Sequence, residues 1–125
     1  MNHVFYSDGN AQKITWTIQN NDSSFIENRE HVDIYKNKVT NLQSKYVALH
    51  VGLFWGIGTF IIKTEDTVKI KLDDKIMFEQ FTDDSKIDDE FIQKRLRFIR
   101  QLIDQRKLKI QFELISKDEN IARNI

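Results

Sequence analysis

Two aspartates each stand where a predicted strand ends, and their carboxylates are the side chains here best suited to chemistry. Asp8 follows the apolar, aromatic residues 4–7, and Asp73 follows the alternating residues 67–72. Carboxylates supply the hard oxygen ligands that magnesium prefers. Structural roles also fit both residues, and for Asp8 taken alone the structural role is favoured. Asp8 precedes Gly9 in a strong turn signal, and Asp73 is placed to cap the following helix.

A lysine occupies the middle of a predicted helix that carries no carboxylate. Apolar residues recur there at three- and four-residue spacing, and Thr40 or Asn41 is placed to cap the helix start. No aspartate or glutamate occurs from Thr40 to Trp55. Taken alone, Lys45 is a solvated lysine on a helix surface.

Periodicity predicts the elements that must position these side chains. The order is a strand meander, a helix, a strand, two helices and a last strand, which favours a mixed α/β sheet with helices packed on it. Predicted strands are residues 4–7, 13–19, 24–30, 32–35, 67–72 and 109–115, and predicted helices run from Thr40 to Gly56 or Gly58, over 75–81 and over 87–103.

Composition narrows the classes of function. The chain has 125 residues, 40% of them hydrophobic, which predicts a single domain over residues 1–125. Nineteen basic and nineteen acidic residues cancel, which argues against a protein held to nucleic acid by charge alone. The sequence has no cysteine and so no disulfide or thiolate site. The start is not a secretory signal, and the longest apolar stretch is too short to span a bilayer. We therefore expect a cytoplasmic protein without membrane contact.

Three segments share a pattern with one enzyme family. Residues 40–53, TNLQSKYVALHVGL, resemble the first helix of ribonuclease H domains, which reads Thr-Asn-Asn-x-x-Glu-Tyr-x-Ala-Leu. The segment around Asp8 is similar to the family's Thr-Asp-Gly-Ser. The segment from Asp73 to Gln80 is similar to Asp-Ser-x-Leu-Val-x-x-Gln. The resemblance implies a ribonuclease H-like fold: a five-stranded sheet of three antiparallel meander strands followed by parallel strands, flanked by helices.

The chain's tail carries a fourth, weaker match. It resembles the family's Pro-Arg-x-x-Asn-x-x-Ala-Asp, with Lys117 replacing the arginine and Asn120 matching. Asn124 then replaces the last aspartate, or Arg123 does if the register slips by one. The resemblance implies a closing helix that is short or missing here.

The family's reaction is hydrolysis of the RNA strand of RNA–DNA hybrids by two magnesium ions about 4 Å apart. The resemblance implies that Asp8 and Asp73 are the remaining metal ligands and catalytic carboxylates. It also implies that Lys45 replaces a ligand glutamate and Asn124 a ligand aspartate. A lysine there repels divalent cations and neutralises the remaining carboxylates. We therefore expect very weak or no cleavage, and at best weak magnesium binding.

Polar residues near these positions match the family's contacts to nucleic acid. Asn41 and Gln43 fall where the family touches the 2′-hydroxyls of RNA, and Gly9 and Asn10 fall where its backbone meets the RNA strand. Helix capping explains Asn41 equally well.

Three functions fit the sequence. The first is a monomeric ribonuclease H-like pseudoenzyme that still binds RNA–DNA hybrids. The second is a protein-interaction scaffold without a nucleic-acid role, which the zero net charge allows. The third is an active nuclease with substitute carboxylates, for which Asp118 and Glu119 are the candidates. The other possible sites have simpler interpretations: Trp16 and Trp55 are expected in the core, and the scattered histidines do not indicate zinc.

Overall fold

The structure, a computed structural model, describes residues 1–83 and 86–123. Five strands, three helices and one short 3-10 turn follow one another within these described residues. The strands are β1 (Asn2–Gly9), β2 (Lys13–Gln19), β3 (Ser24–Glu30), β4 (Thr67–Leu72) and β5 (Lys109–Leu114). The helices are α1 (Asn41–Gly58), α2 (Lys75–Thr82) and α3 (Glu90–Gln105), and the 3-10 turn covers Lys117–Glu119.

The five strands form one mixed sheet in the order β3-β2-β1-β4-β5. β1, β2 and β3 form an antiparallel meander, whereas β4 pairs in parallel with β1 on one side and with β5 on the other. In the parallel register Asn2 pairs with Thr67 and Tyr6 with Lys71. This confirms the predicted mixed sheet with its antiparallel and parallel halves.

The core lies between the sheet and α1. Trp16 and Phe5 are fully buried beneath this helix, which packs on β1 and β2. A Cβ atom at Gly52 would come within 2.7 Å of the Phe5 ring and 2.8 Å of the Trp16 ring. The absence of a side chain there lets the helix sit close to the sheet. Trp55 adds a tilted ring contact to Trp16 at 5.8 Å, so the expectation of core packing holds for both tryptophans.

All three described helices begin at side-chain caps. Asp74 caps α2 by accepting from the Met77 N–H, so the interpretation of Asp73 as the cap of this helix is wrong by one residue. Thr40 caps α1: its side chain accepts from the Gln43 N–H, and the Gln43 side chain accepts from the Thr40 N–H, which is a capping box. Asp89 caps α3 by accepting from the N–H groups of Phe91 and Ile92. Since α3 starts at residue 90, the prediction that it begins at residue 87 placed its start three residues too early.

One predicted strand is wrong. Residues 32–35 form turns rather than a strand, and Val32 and Ile34 are 60% and 70% exposed. Their apolar alternation has no sheet to pack against, because β3 ends at Glu30 and the chain turns toward α1. Asn37 lies in this segment with φ of 60°, a left-handed conformation that asparagine tolerates well.

No helix in the described part of the chain has both the length and the apolar character needed to cross a membrane.

Candidate functional site

Parallel pairing brings the two aspartates to one edge of the sheet. β1 and β4 run in the same direction, so their carboxyl ends, with Asp8 and Asp73, lie side by side. Asp8 remains partly accessible, with 21% of its side chain exposed, whereas the side chain of Asp73 is only 3% exposed.

The ammonium of Lys45 lies between these two carboxylates. It donates to Oδ1 of Asp8 at 2.9 Å and to Oδ1 of Asp73 at 2.7 Å. The lysine is in the second turn of α1, which packs on β1, so its side chain points over the carboxyl ends of the strands and only 11% of it is exposed. The alternative of a solvated surface lysine is therefore wrong.

The electrostatics of this trio keep Lys45 charged. Burial disfavours the ammonium, but the hydrogen bonds that it donates to Asp73 and Asp8 and the negative charges of these residues outweigh burial and raise the pKa of Lys45. Charge-assisted bonds of this kind are among the strongest in proteins. Two carboxylates and one ammonium leave a single net negative charge at the centre.

Asn120 ties the end of the chain to the same centre. Its amide group donates to Oδ2 of Asp73 and to the carbonyl oxygen of Ser7, both at 3.0 Å. Its own side-chain oxygen accepts from the N–H of Ala122, and the Thr15 hydroxyl donates to the Ala122 carbonyl at 2.7 Å. The sequence matched Asn120 to a family motif but gave it no role, because the motif does not show that the tail crosses β1 next to Asp73.

Gly9 allows α1 to approach the end of β1. A Cβ atom there would lie 2.4 Å from Oγ of Ser44 and 2.7 Å from its backbone carbonyl, so only glycine fits without displacement. Nε2 of His31 lies 2.7 Å from the same hydroxyl and 3.1 Å from the carbonyl oxygen of Asn10. Burial lowers the pKa of His31 and outweighs the opposing hydrogen bond to Asn10. Sequence spacing did not reveal this contact, because His31 and Ser44 meet only once α1 has packed.

The other residues predicted to contact nucleic acid differ in whether their side chains already form hydrogen bonds within the protein. The Asn10 side chain accepts from the N–H groups of Gln12 and Lys13 and so shapes the β1–β2 turn. Gln43 uses its oxygen in the capping box and donates its amide to Asp89 at 2.8 Å. Asn41 is exposed and does not cap α1, so its side chain faces solvent at the helix start.

A small cleft adjoins the carboxylates. It has a volume of about 320 Å³ and is lined by Asp8, Gly9, Asn10, Lys13 and Thr15. Its walls are therefore the β1–β2 turn and the exposed side of Asp8.

A pair of divalent metal ions, as the family uses, does not fit this donor set. Magnesium binds oxygen at 2.0–2.1 Å in octahedral geometry, but an ammonium already bridges the two carboxylates. Oδ1 of Asp8 also accepts from the Gly9 N–H, which leaves only Oδ2 of Asp8 without a partner among the described residues. The ammonium would offset about 8 kcal/mol of the attraction between the carboxylates and a divalent ion about 4 Å from it, at an effective dielectric of 20.

The part of the chain that the structure describes gathers no substitute carboxylates around the centre. Over residues 1–83 and 86–123, no group of three or more acidic, histidine or cysteine side chains is placed to hold a metal. Asp118 faces Arg123 at 3.4 Å, and Glu119 accepts from Ser116. Asn124, predicted to replace the family's last aspartate, lies outside the described residues.

The sheet order and the residues at its carboxyl edge define a ribonuclease H-like domain. A family model described as reverse transcriptase-like matches residues 5–122, and the chain belongs to this family. Among curated proteins, none matches the chain.

Solved structures share this fold at low identity. Ribonuclease H1 from the archaeon Halobacterium salinarum superposes with a TM-score of 0.74 at 15% identity, over 98% of this chain and 91% of that one. LC11 ribonuclease H1, solved in complex with an RNA/DNA hybrid, gives 0.74 at 17% identity over 95% and 88%. The N-terminal ribonuclease H domain of a Mycobacterium tuberculosis protein gives 0.69 at 18% over 95% and 85%. These likenesses confirm the predicted fold.

Proposed function

We propose that this domain binds RNA–DNA hybrids and cleaves them very weakly or not at all. The observation that carries the proposal is the Lys45 ammonium, which lies within 2.9 Å of both Asp8 and Asp73. The LC11 ribonuclease H1 complex supports the choice of ligand, because a protein of the same fold holds an RNA/DNA hybrid.

The residues of this chain have distinct roles in such a complex. The exposed Asn41 amide is free to reach a 2′-hydroxyl, the group that distinguishes RNA from DNA. The turn of Gly9 and Asn10 offers backbone groups beside the cleft. Lys45 and Asn120 hold three of the four carboxylate oxygens, which leaves Oδ2 of Asp8 as the one oxygen among the described residues that could accept a proton from water. The single negative charge left at the centre makes it a weak partner for phosphate.

A cleavage assay tests the loss of activity. Labelled hybrid, incubated with the protein and magnesium or manganese, should stay intact under conditions in which an active ribonuclease H1 degrades it completely. The double substitution Lys45→Glu with Asn124→Asp restores two carboxylates and should produce measurable cleavage. Robust turnover by the wild-type protein would contradict the proposal.

A binding titration tests the ligand. Fluorescence anisotropy with hybrid, duplex DNA and duplex RNA should show preference for the hybrid. Affinity should fall steeply with salt, because each phosphate that a lysine or arginine neutralises releases counterions. The Asn41→Ala variant should bind hybrid several-fold more weakly. Equal, weak binding to all three duplexes would contradict hybrid recognition.

A protein-interaction module is the second candidate, and one surface favours it. Phe54 on α1 is 63% exposed, and it lines an apolar hollow of about 260 Å³ with Val51, His50 and Arg95. Exposed aromatic and arginine side chains are typical of protein interfaces. Failure of all three duplexes to bind, even at low salt, would favour this candidate.

A further inference from the structure

The Lys45 ammonium is a cation that the chain itself supplies to the centre. We propose that Lys45 is a resident counter-ion that makes this centre independent of divalent metal, so that the centre assembles and takes up a hybrid without magnesium. The part concerning hybrid rests on the function proposed above, whereas the part concerning metal stands on the geometry alone.

The position of Lys45 is fixed by the helix that carries it. Ser44 and Tyr46, its neighbours in α1, are fully buried, and the Tyr46 hydroxyl donates to Gln80 of α2 at 2.6 Å. Rotation of α1 about its axis would disrupt this packing. The ammonium is therefore held over the strand ends by the core, rather than by its ion pairs alone.

The hydrogen bonds of Lys45 and Asn120 to the two aspartates connect α1, β1, the end of β4 and the tail. Lys45 joins α1 to β1 through Asp8 and to the end of β4 through Asp73, and Asn120 joins Asp73 to the tail. Bound divalent ions would draw separate carboxylates together in the same way. Here the bridge is covalently part of the chain, and a metal has no carboxylates left to bring together.

The charge at position 45 decides whether metal is needed. Two carboxylates and an ammonium carry one net negative charge, whereas Lys45→Glu leaves three carboxylates with three negative charges at the same edge. Three clustered carboxylates repel one another and form a ligand set that suits magnesium. The substitution should therefore convert a metal-independent centre into a metal-dependent one.

Thermal unfolding tests this with magnesium as the probe. The wild-type Tm should agree within about 1 °C between EDTA and about 10 mM magnesium chloride at matched ionic strength. Lys45→Glu should unfold at lower temperature in EDTA and regain at least about 3 °C with magnesium. Lys45→Gln should be destabilised and should regain less stability in magnesium than Lys45→Glu, because its two unneutralised carboxylates bind one ion only weakly.

Lys109→Glu is the matched control. Lys109 is an exposed lysine at the start of β5, at the end of the sheet away from Asp8 and Asp73. The same reversal of charge there should leave the Tm insensitive to magnesium. A magnesium response as large as that of Lys45→Glu would overturn the proposal.

Measurements on the wild-type protein decide the matter even if Lys45→Glu does not fold. In a magnesium titration followed by NMR, the amides of Asp8, Gly9 and Asp73 should not shift. Saturable shifts of these amides at millimolar magnesium would overturn the proposal. A Lys45→Gln variant as stable as the wild-type protein would also overturn it.

Hybrid binding completes the test. The Kd for hybrid should agree within about twofold between EDTA and magnesium at matched ionic strength. Binding about tenfold tighter in magnesium would overturn the proposal. Absence of binding in both buffers would overturn the proposed function instead, while the unfolding and NMR measurements would still decide whether Lys45 excludes metal.

Discussion

A methyl group at Gly9 would collide with the helix that carries Lys45. Its carbon would lie 2.4 Å from Oγ of Ser44, and the Ser44 backbone would also be too close at 2.7 Å. Because backbone atoms cannot rotate away, Gly9→Ala should destabilise the protein by about 1–3 kcal/mol. Urea unfolding followed by circular dichroism would measure this loss.

Gly58→Ala is the control for that prediction. Gly58 is also a helix-associated glycine, but no atom lies within 4 Å of an added Cβ. Alanine favours helix over glycine by up to about 1 kcal/mol, so this variant should be as stable as wild type or more so. Equal destabilisation at both positions would show that the close approach to Ser44 does not matter.

His50 should make stability depend on pH in the acidic range. Burial and the nearby Arg95 guanidinium lower the pKa of His50 to about 4, whereas histidine in an unfolded chain titrates near 6.5. The unfolded state therefore binds the proton more readily, and stability falls as pH drops from about 6.5 toward 4. Over this pH range the free energy of unfolding of His50→Gln should fall by about 1 kcal/mol less than that of the wild-type protein. This figure allows for the partial exposure of His50.

The measurement compares urea unfolding of wild type and His50→Gln at several pH values from 7 to 4.5. Other acidic groups titrate in both proteins, so only the difference between the two curves reports on His50. Parallel curves would contradict the prediction.

The resemblance predicted the residue types at the centre and the neutralisation of the carboxylates by Lys45, but not the geometry of the contacts. The family resemblance indicated Asp8, Lys45 and Asp73 from motif order. That the ammonium bonds both carboxylates depends on the parallel register of β1 and β4 and on the rotation of α1, neither of which a linear pattern contains. The Gln43–Asp89 and His31–Ser44 contacts were missed for the same reason.

At the scale of elements, two neighbouring residues at the start of α1 have different roles: Thr40 stabilises the helix, whereas Asn41 is available for binding. Thr40 forms a capping box with Gln43, so Thr40→Ala should cost about 1 kcal/mol of stability. Asn41→Ala, one residue away, removes a side chain that does not cap and should leave stability within about 0.5 kcal/mol of wild type.

Urea unfolding of both variants, together with hybrid anisotropy, checks this division. Asn41→Ala should affect binding alone, and Thr40→Ala mainly stability. A destabilised Asn41→Ala with unchanged binding would reverse the assignment.

Elements with strict alternation were predicted most accurately. The bounds of β2 and β4 match the prediction, since apolar and polar side chains alternate along both strands. The bounds of β3 also match, although its sequence does not alternate. Residues 32–35 show the limit of this signal: Val32 and Ile34 alternate without any partner strand. The start of α3 was misplaced because Asp89, rather than the apolar Ile87, sets where its hydrogen bonding begins.

On the scale of the whole molecule, Asn120 connects the segment after β5 to the sheet through hydrogen bonds. It is buried, with 4% of its surface exposed, and it bonds Ser7, Asp73 and Ala122. Asn120→Ala leaves these groups without their partner and should cost about 2–3 kcal/mol.

Hydrogen exchange should locate the effect. The Ala122 amide should lose protection in Asn120→Ala, whereas amides in β2 and β3 should keep theirs apart from the change in global stability. Asn28→Ala, at an exposed position of β3, is the matched control and should change neither. Unchanged protection at Ala122 would show that the tail is held by other contacts.

The parallel pairing of β1 with β4 also constrains how the chain acquires its shape. Asn2 pairs with Thr67 across 65 positions of sequence, so the first strand has one open edge until the fourth has been synthesised. The hairpins of β1, β2 and β3 close locally and form early, whereas contacts of such separation form slowly. During translation the nascent meander therefore exposes an unpaired strand edge prone to aggregation, and emergence of β4 from the ribosome ends that exposure.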